Sequence, residues 1–152
     1  MPSVANINND IRTGFYNRLL TGTTFKADIS KVVGSTTVYR LYYYQAPQVF
    51  PGTTTPVEPP YVVMDILPIS QDRDSASKFY SCTLQFLVSS IASIAECETI
   101  AGHITDLLED CEASMSVGTY QVIKITREPQ INLPQVDRVF NIAVQYSILI
   151  QK

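Results

Sequence analysis

Val139-Phe140-Asn141-Ile142-Ala143-Val144-Gln145-Tyr146-Ser147-Ile148-Leu149-Ile150 is the stretch from which the fold is read. From Phe140 onward every second residue is large and apolar: Phe140, Ile142, Val144, Tyr146, Ile148 and Ile150. Asn141, Ala143, Gln145 and Ser147 between them are small or polar, and only Leu149 breaks the series. Alternation of period two predicts a strand with one buried and one accessible face, about 40 Å long at roughly 3.3 Å per residue. A slip of one residue would turn all six large side chains into water, so this strand sets the register of whatever pairs with it.

A strand of that length needs neighbours, and the preceding chain supplies candidates. Lys78 to Val88 alternates in the same way, with Tyr80, Cys82, Leu84, Phe86 and Val88 on the inner side and Ser81, Thr83 and Gln85 on the outer. Tyr61 to Ile69 reads as a strand with Val62, Met64 and Ile66 inward, and the polar run 70–77 between the two predicts an antiparallel hairpin with a protruding tip. Thr37 to Tyr44 is a further strand with bulk on both faces, and Tyr120 to Arg127 another. Pro129 and Pro134 mark the segment before Val139 as a link. Residues 45–60 hold five of the nine prolines, with Gly52 and a threonine run, and read as a long surface excursion.

Helical periodicity appears three times. Asn8 or Asn9 can cap a helix to about Leu20 whose inner side carries Ile11, Phe15, Arg18 and Leu19, with Gly22 past its end. Phe25, Ile29, Val32 and Val33 fit a shorter helix stopped by Gly34. Ser93 and Glu96 form a capping box before a broad stripe of Ile94, Cys97, Ile100, Ala101, Ile104, Leu107, Leu108 and Cys111. The elements together predict one α+β domain over 1–152, a two-layer arrangement in which two main helices cover one face of a mostly antiparallel sheet of four to five strands. The other sheet face, where Thr83, Gln85, Asn141, Gln145 and Ser147 fall, is left for water, a second copy or a channel.

Composition narrows the function. The chain is 45% hydrophobic and 16% charged, below the roughly 25% charged residues of an ordinary soluble domain, and has nine Tyr but no Trp. A net charge of −3 and eleven scattered basic residues argue against an electrostatic grip on nucleic acid. No apolar run is long enough to span a membrane, and the first residues have no signal-peptide pattern, so assembly in cytoplasm is the expectation. Cys82, Cys97 and Cys111 lack CxxC spacing and read as reduced thiols; on one helix Cys97 and Cys111 would lie about 21 Å apart.

Groups able to carry chemistry are few. His103, the single histidine, shares a helical side with Asp106, but a metal needs three or four ligands, and the polar side of an amphipathic helix is a solvated place. There is no second histidine to pair with a nucleophile. Asp72, Arg73 and Asp74 in the hairpin tip, and Glu109, Asp110 and Glu112 after the long helix, fall in segments expected to be exposed. The latter three also sit unfavourably near a helix C-terminus. The glycines are scattered singly, without a phosphate-binding pattern. The expectation is a non-enzyme with no catalytic residue, metal or cofactor.

The order of elements resembles the tail terminator, or tail completion, family of long-tailed bacteriophages. The likeness is carried by Asp28 through Gly34, Val38-Tyr39, Ala46-Pro47-Gln48, Pro60-Tyr61-Val62-Val63 and Leu84-Gln85-Phe86, followed by Ala95, Ala101, Ile104 and Leu108 and by the final strand. It covers about Ile11 to Ile150, and the excursion between Pro47 and Pro60 is longer than the family pattern. The resemblance implies a virion protein assembled in the host cytoplasm as a ring, typically of six copies. Such a ring caps the tail tube, stops its polymerisation and offers a joining surface to the head's connector or stopper protein, while genomic DNA passes its lumen without specific binding. Its subunit or tube contacts would then involve Gln71, Asp72, Arg73 and Asp74 in the tip and Val49, Phe50 and Val57 in the excursion; Thr83, Gln85, Asn141 and Gln145 would face the lumen. Two other readings are another neck or head-completion ring, and a cytosolic enzyme or small-molecule binding domain, which would need a closed pocket with converging polar groups.

Overall fold

The computed structural model describes residues 4–71 and 78–152. Its centre is the antiparallel pair of β6, Phe79–Ser90, and β9, Val139–Gln151, in register from Phe79↔Gln151 to Ser90↔Phe140. Ile142, Val144, Tyr146, Ile148 and Ile150 are buried on one face beside Tyr80, Cys82, Leu84, Phe86 and Val88, as the alternation requires. Phe86 and Tyr146 meet edge to face at 5.9 Å.

Each member of the pair has a divided outer edge. β6 is flanked by β4, Tyr61–Ile66, and by the short β5, Ser70–Gln71. β9 is flanked over its second half by β7, Gln121–Arg127, and over its first half by β8, Ile131–Val136. With β3, Leu41–Tyr43, at the far end, the main sheet has seven strands, more than the four to five expected. The link around Pro134 is itself a strand. Its partner is β9, reached through Asp137 and Arg138, which take positive φ values of 50° and 65° and so make the tight two-residue turn of a hairpin. Pro134 is accommodated on this outer strand at a register shift between Leu133 and Val136.

The N-terminal third departs further from expectation. The first helix, α1, spans Val4–Leu19 and starts before Asn8, because Ile7 extends the buried stripe of Ile11, Phe15 and Leu19 by a turn. The second, α2, is only Thr23–Ile29. Val32 and Val33 do not continue it: β1, Ser30–Val33, folds back on β2, Thr36–Tyr39, around Gly34 at φ 64°, and Val32 is 66% exposed. β-branched residues beside a left-handed glycine make a hairpin where a helix stop had been read.

The single strand expected over 37–44 is divided at Arg40 into β2 and β3, and β3 runs parallel to β4. A parallel pair needs a crossover of a dozen or more residues, and the proline-rich segment 45–60 supplies it. That segment is ordered by its own contacts: Val49 bridges Pro56, Val57 N–H donates to the Gln48 carbonyl at 3.0 Å, and Phe50 is 2% exposed.

The long helix, α3, spans Ile94–Leu108 and lies on the β6–β9 face, with Cys97, Ile100, Ala101, Ile104 and Leu108 buried. Ser93 caps it by accepting from Glu96 N–H at 3.1 Å. The reciprocal half of the box is rerouted, since the Glu96 carboxylate accepts from the Ser90 hydroxyl and ties the helix start to the end of β6. The helix stops before Cys111, so Cys97 and Cys111 do not share it. The acidic residues lie beyond its last turn. There the Arg18 side chain donates to the Leu107 carbonyl at 2.8 Å, and the Glu112 carboxylate accepts from Ile125 N–H at 3.1 Å.

Candidate functional site: the helix-free face of the sheet

Helices cover one face of the sheet, so the chemistry of the opposite face follows from which residues the register aligns there. Gln85 stands opposite Gln145, and Gln145 Nε2 donates to Gln85 Oε1 at 2.7 Å. On the β4 side the same row reaches Asp65. One row further, Thr83 faces Ser147, whose hydroxyl donates to Glu128 Oε1 at 2.6 Å, and Thr126 lies on the other side of Ser147. Asn141 faces Ser89 and accepts from its hydroxyl at 2.7 Å. The four residues Thr83, Gln85, Asn141 and Gln145, all half-buried, therefore share one face. Of these, Gln85 and Gln145 pair with each other and Asn141 pairs with Ser89, while Asp65, Glu128 and Lys124 bring charge to the same face.

The same face is divided across the strands. Ile131 pairs with Ala143, Ala143 with Leu87, Leu87 with Val63, and Val63 with Tyr42, giving one apolar row over five strands. Ala143 and Val63 are buried without belonging to the helix-side core. Towards Ser147 and Lys124 the face is polar; the row through Ile131 is apolar, and beyond it Leu133 stands opposite Asn141. Period-two reading identified the faces, but this zoning depends on register between strands distant in sequence.

The expected contact residues are scattered. Gln71 is exposed in β5; Asp72, Arg73 and Asp74 lie outside the described residues. Val49 is 42% exposed and Val57 half-buried, whereas the ring of Phe50 is turned inward and anchors the segment, so Val49 presents the accessible side chain there.

His103 is not simply solvated on the polar side of α3. Its Nδ1 lies 2.5 Å from Oδ2 of Asp28 on α2, both side chains being partly buried. Such a pair orients an imidazole, yet among the described residues no hydroxyl or thiol is hydrogen-bonded to it. Cys82, Cys97 and Cys111 are buried and unbridged; burial pushes the thiols of Cys82 and Cys97 up to about 11 and that of Cys111 upward too. Among the described residues no three His, Cys, Asp or Glu side chains cluster as metal ligands, and no helix is long and apolar enough to cross a membrane.

A second unusual cluster lies at the β3 end. The Arg12 guanidinium sits 4.9 Å from the ring centre of Tyr43 and 4.7 Å from that of Tyr44, and donates to the Tyr44 hydroxyl. Tyr44 is 59% exposed at φ 61°, a conformation that side chains rarely adopt. Tyr43 and Tyr44 are adjacent in sequence, but their pairing with Arg12 depends on the folded chain.

No family model matches the chain, and no curated protein does. Among solved structures, a chain from the virion of a native gene transfer agent particle is similar over 93% of this chain and 94% of its own, with a TM-score of 0.72 and 14% identity. A second solved chain matches over 95% and 94%, with a TM-score of 0.53 and 14% identity. At these identities the likeness is one of fold, and it extends over nearly the whole chain.

Proposed function

We propose that this chain is a structural subunit of a phage-like virion, a tail terminator that forms a ring on the tail tube, stops its growth and joins it to the head. The observation that carries this reading is the end-to-end fold similarity to a chain of a gene transfer agent virion. The order of sequence motifs supports the same family, and the sparse charge supports a subunit whose surfaces are covered by neighbours. A sheet face centred on the hydrogen-bonded Gln85 and Gln145, with Asp65 and Glu128 among its charges, suits a conduit, because a wall of Lys and Arg would hold the DNA backbone. On this reading the partners are further copies of the chain, the tube protein and the head connector, and the protein resides in the particle.

The test is to add the purified protein to polymerising tube protein and measure tube length by electron microscopy. A terminator gives short, capped tubes with a ring at one end. Rings that form but leave tube length unchanged would instead assign the chain to another neck position. A chain that neither forms rings nor binds tubes would remove the virion reading altogether.

A further inference from the structure

Two appendages of this fold are unfinished, and they lie at opposite ends of the sheet. Among the described residues β8 packs on β9 alone of the other elements, every residue from Ile131 to Val136 is exposed, and three are large and apolar: Ile131 at 45%, Leu133 at 38% and Val136 at 60%. No charged side chain occurs between Ile131 and Val136 to protect this edge. Among the described residues the β1–β2 hairpin is a two-stranded sheet by itself, with no further strand on either side, and Val32 is 66% exposed. Two-stranded ribbons are marginal in water and gain stability from a third strand. Each appendage thus lacks what the other provides.

They cannot meet within one molecule. β2 runs through Arg40 into β3, the last strand at one end of the sheet, whereas β8 occupies the other end beyond β4, β6 and β9. The row from Ile131 to Tyr42 crosses four strand spacings, about 19 Å. Complementary surfaces on opposite ends of a subunit make head-to-tail contacts, the kind that close into rings.

We infer that the β8 edge of one copy docks on the β1–β2 hairpin of the next, adding a third strand to it, and that this contact holds the ring together. Pro134 limits the hydrogen-bonding edge to the three residues Ile131–Leu133, which fit within the four-residue length of β1 and β2. The inference rests on the ring reading above and names the surfaces that the ring uses.

Leu133→Lys damages only the donating edge and Val32→Lys only the receiving hairpin. Both positions are exposed, and unchanged thermal melting shows that the fold is kept; Ile131→Lys, also at an exposed position of the edge, replaces Leu133→Lys should that variant fold poorly. By mass photometry at a concentration where the wild type forms rings, each variant alone should be monomeric. Mixed in equal amounts, they should give two-copy particles and nothing larger, because only one intact interface remains. Rings from either variant alone, or a mixture that stays monomeric, overturn the inference while leaving the terminator reading in place. A wild-type chain that remains monomeric, alone and with tube protein, overturns both.

Discussion

His103 Nδ1 and Asp28 Oδ2 are 2.5 Å apart, joining the middle of α3 to the last turn of α2. With side chains 28% and 21% exposed, the pair is screened by water, so its coupling is modest. In a double-mutant cycle of His103→Ala and Asp28→Ala followed by urea unfolding, a coupling of about 0.5–1 kcal/mol is expected. A coupling near zero would make the contact a neutral one.

Arg40 is 7% exposed, and its guanidinium donates to three backbone carbonyls: Ile29 at 3.0 Å, Ser30 at 3.1 Å and Glu58 at 2.8 Å. Burial lowers its pKa, yet no carboxylate hydrogen-bonds to it; the carbonyls of two segments, 29–30 and the crossover at Glu58, do. Arg40→Met removes all three bonds and should cost about 2–4 kcal/mol. Limited proteolysis should then cut within 45–60, which Arg40 holds through Glu58. Lysine, a point donor, should rescue less than half of the loss.

Gly118 sits at φ 55°, and a Cβ there would lie 2.5 Å from the Asp10 carboxylate. Gly34 is also left-handed, at φ 64°, but has open space around it. Gly34→Ala should therefore cost about 1 kcal/mol from conformation alone and Gly118→Ala distinctly more. Adding Asp10→Ala should recover the difference. Equal melting temperatures for the two glycine variants would contradict the packing.

The buried thiols give stability a pH dependence. Cys82 and Cys97 ionise near 11 when folded, above the 9.0 of a free thiol, so the unfolded chain loses these protons first. Their contribution is complete below pH 9 and declines as pH rises from 9 towards 11. Cys82→Ala together with Cys97→Ala should flatten that decline in a pH series of urea midpoints. At pH 8 the native protein should react with a thiol reagent far more slowly than the unfolded chain.

Legibility of the fold followed the periodicity of the side chains. β6, β9 and α3 were read from sequence because each carries a regular apolar pattern tied to one buried face. β8 was missed because Ile131, Leu133 and Val136 are exposed, Pro134 resembles a breaker, and the turn is Asp137-Arg138 without glycine. For β1 and β2, Val32 and Val33 also satisfied a helical spacing; pairing across Gly34 decided between the two, and a pairing energy has no signature in a single segment.

The candidate surface divides in the same way. That Thr83, Gln85, Asn141 and Gln145 face away from the helices was determined by alternation within β6 and β9, a property of neighbouring residues. That Gln85 meets Gln145, that Ile131 lines up with Ala143, Leu87, Val63 and Tyr42, and that Asp28 reaches His103 was decided by the tertiary structure alone. Local pattern encodes which side of an element is buried; which elements become neighbours, and in what register, is set by the packing of the whole chain.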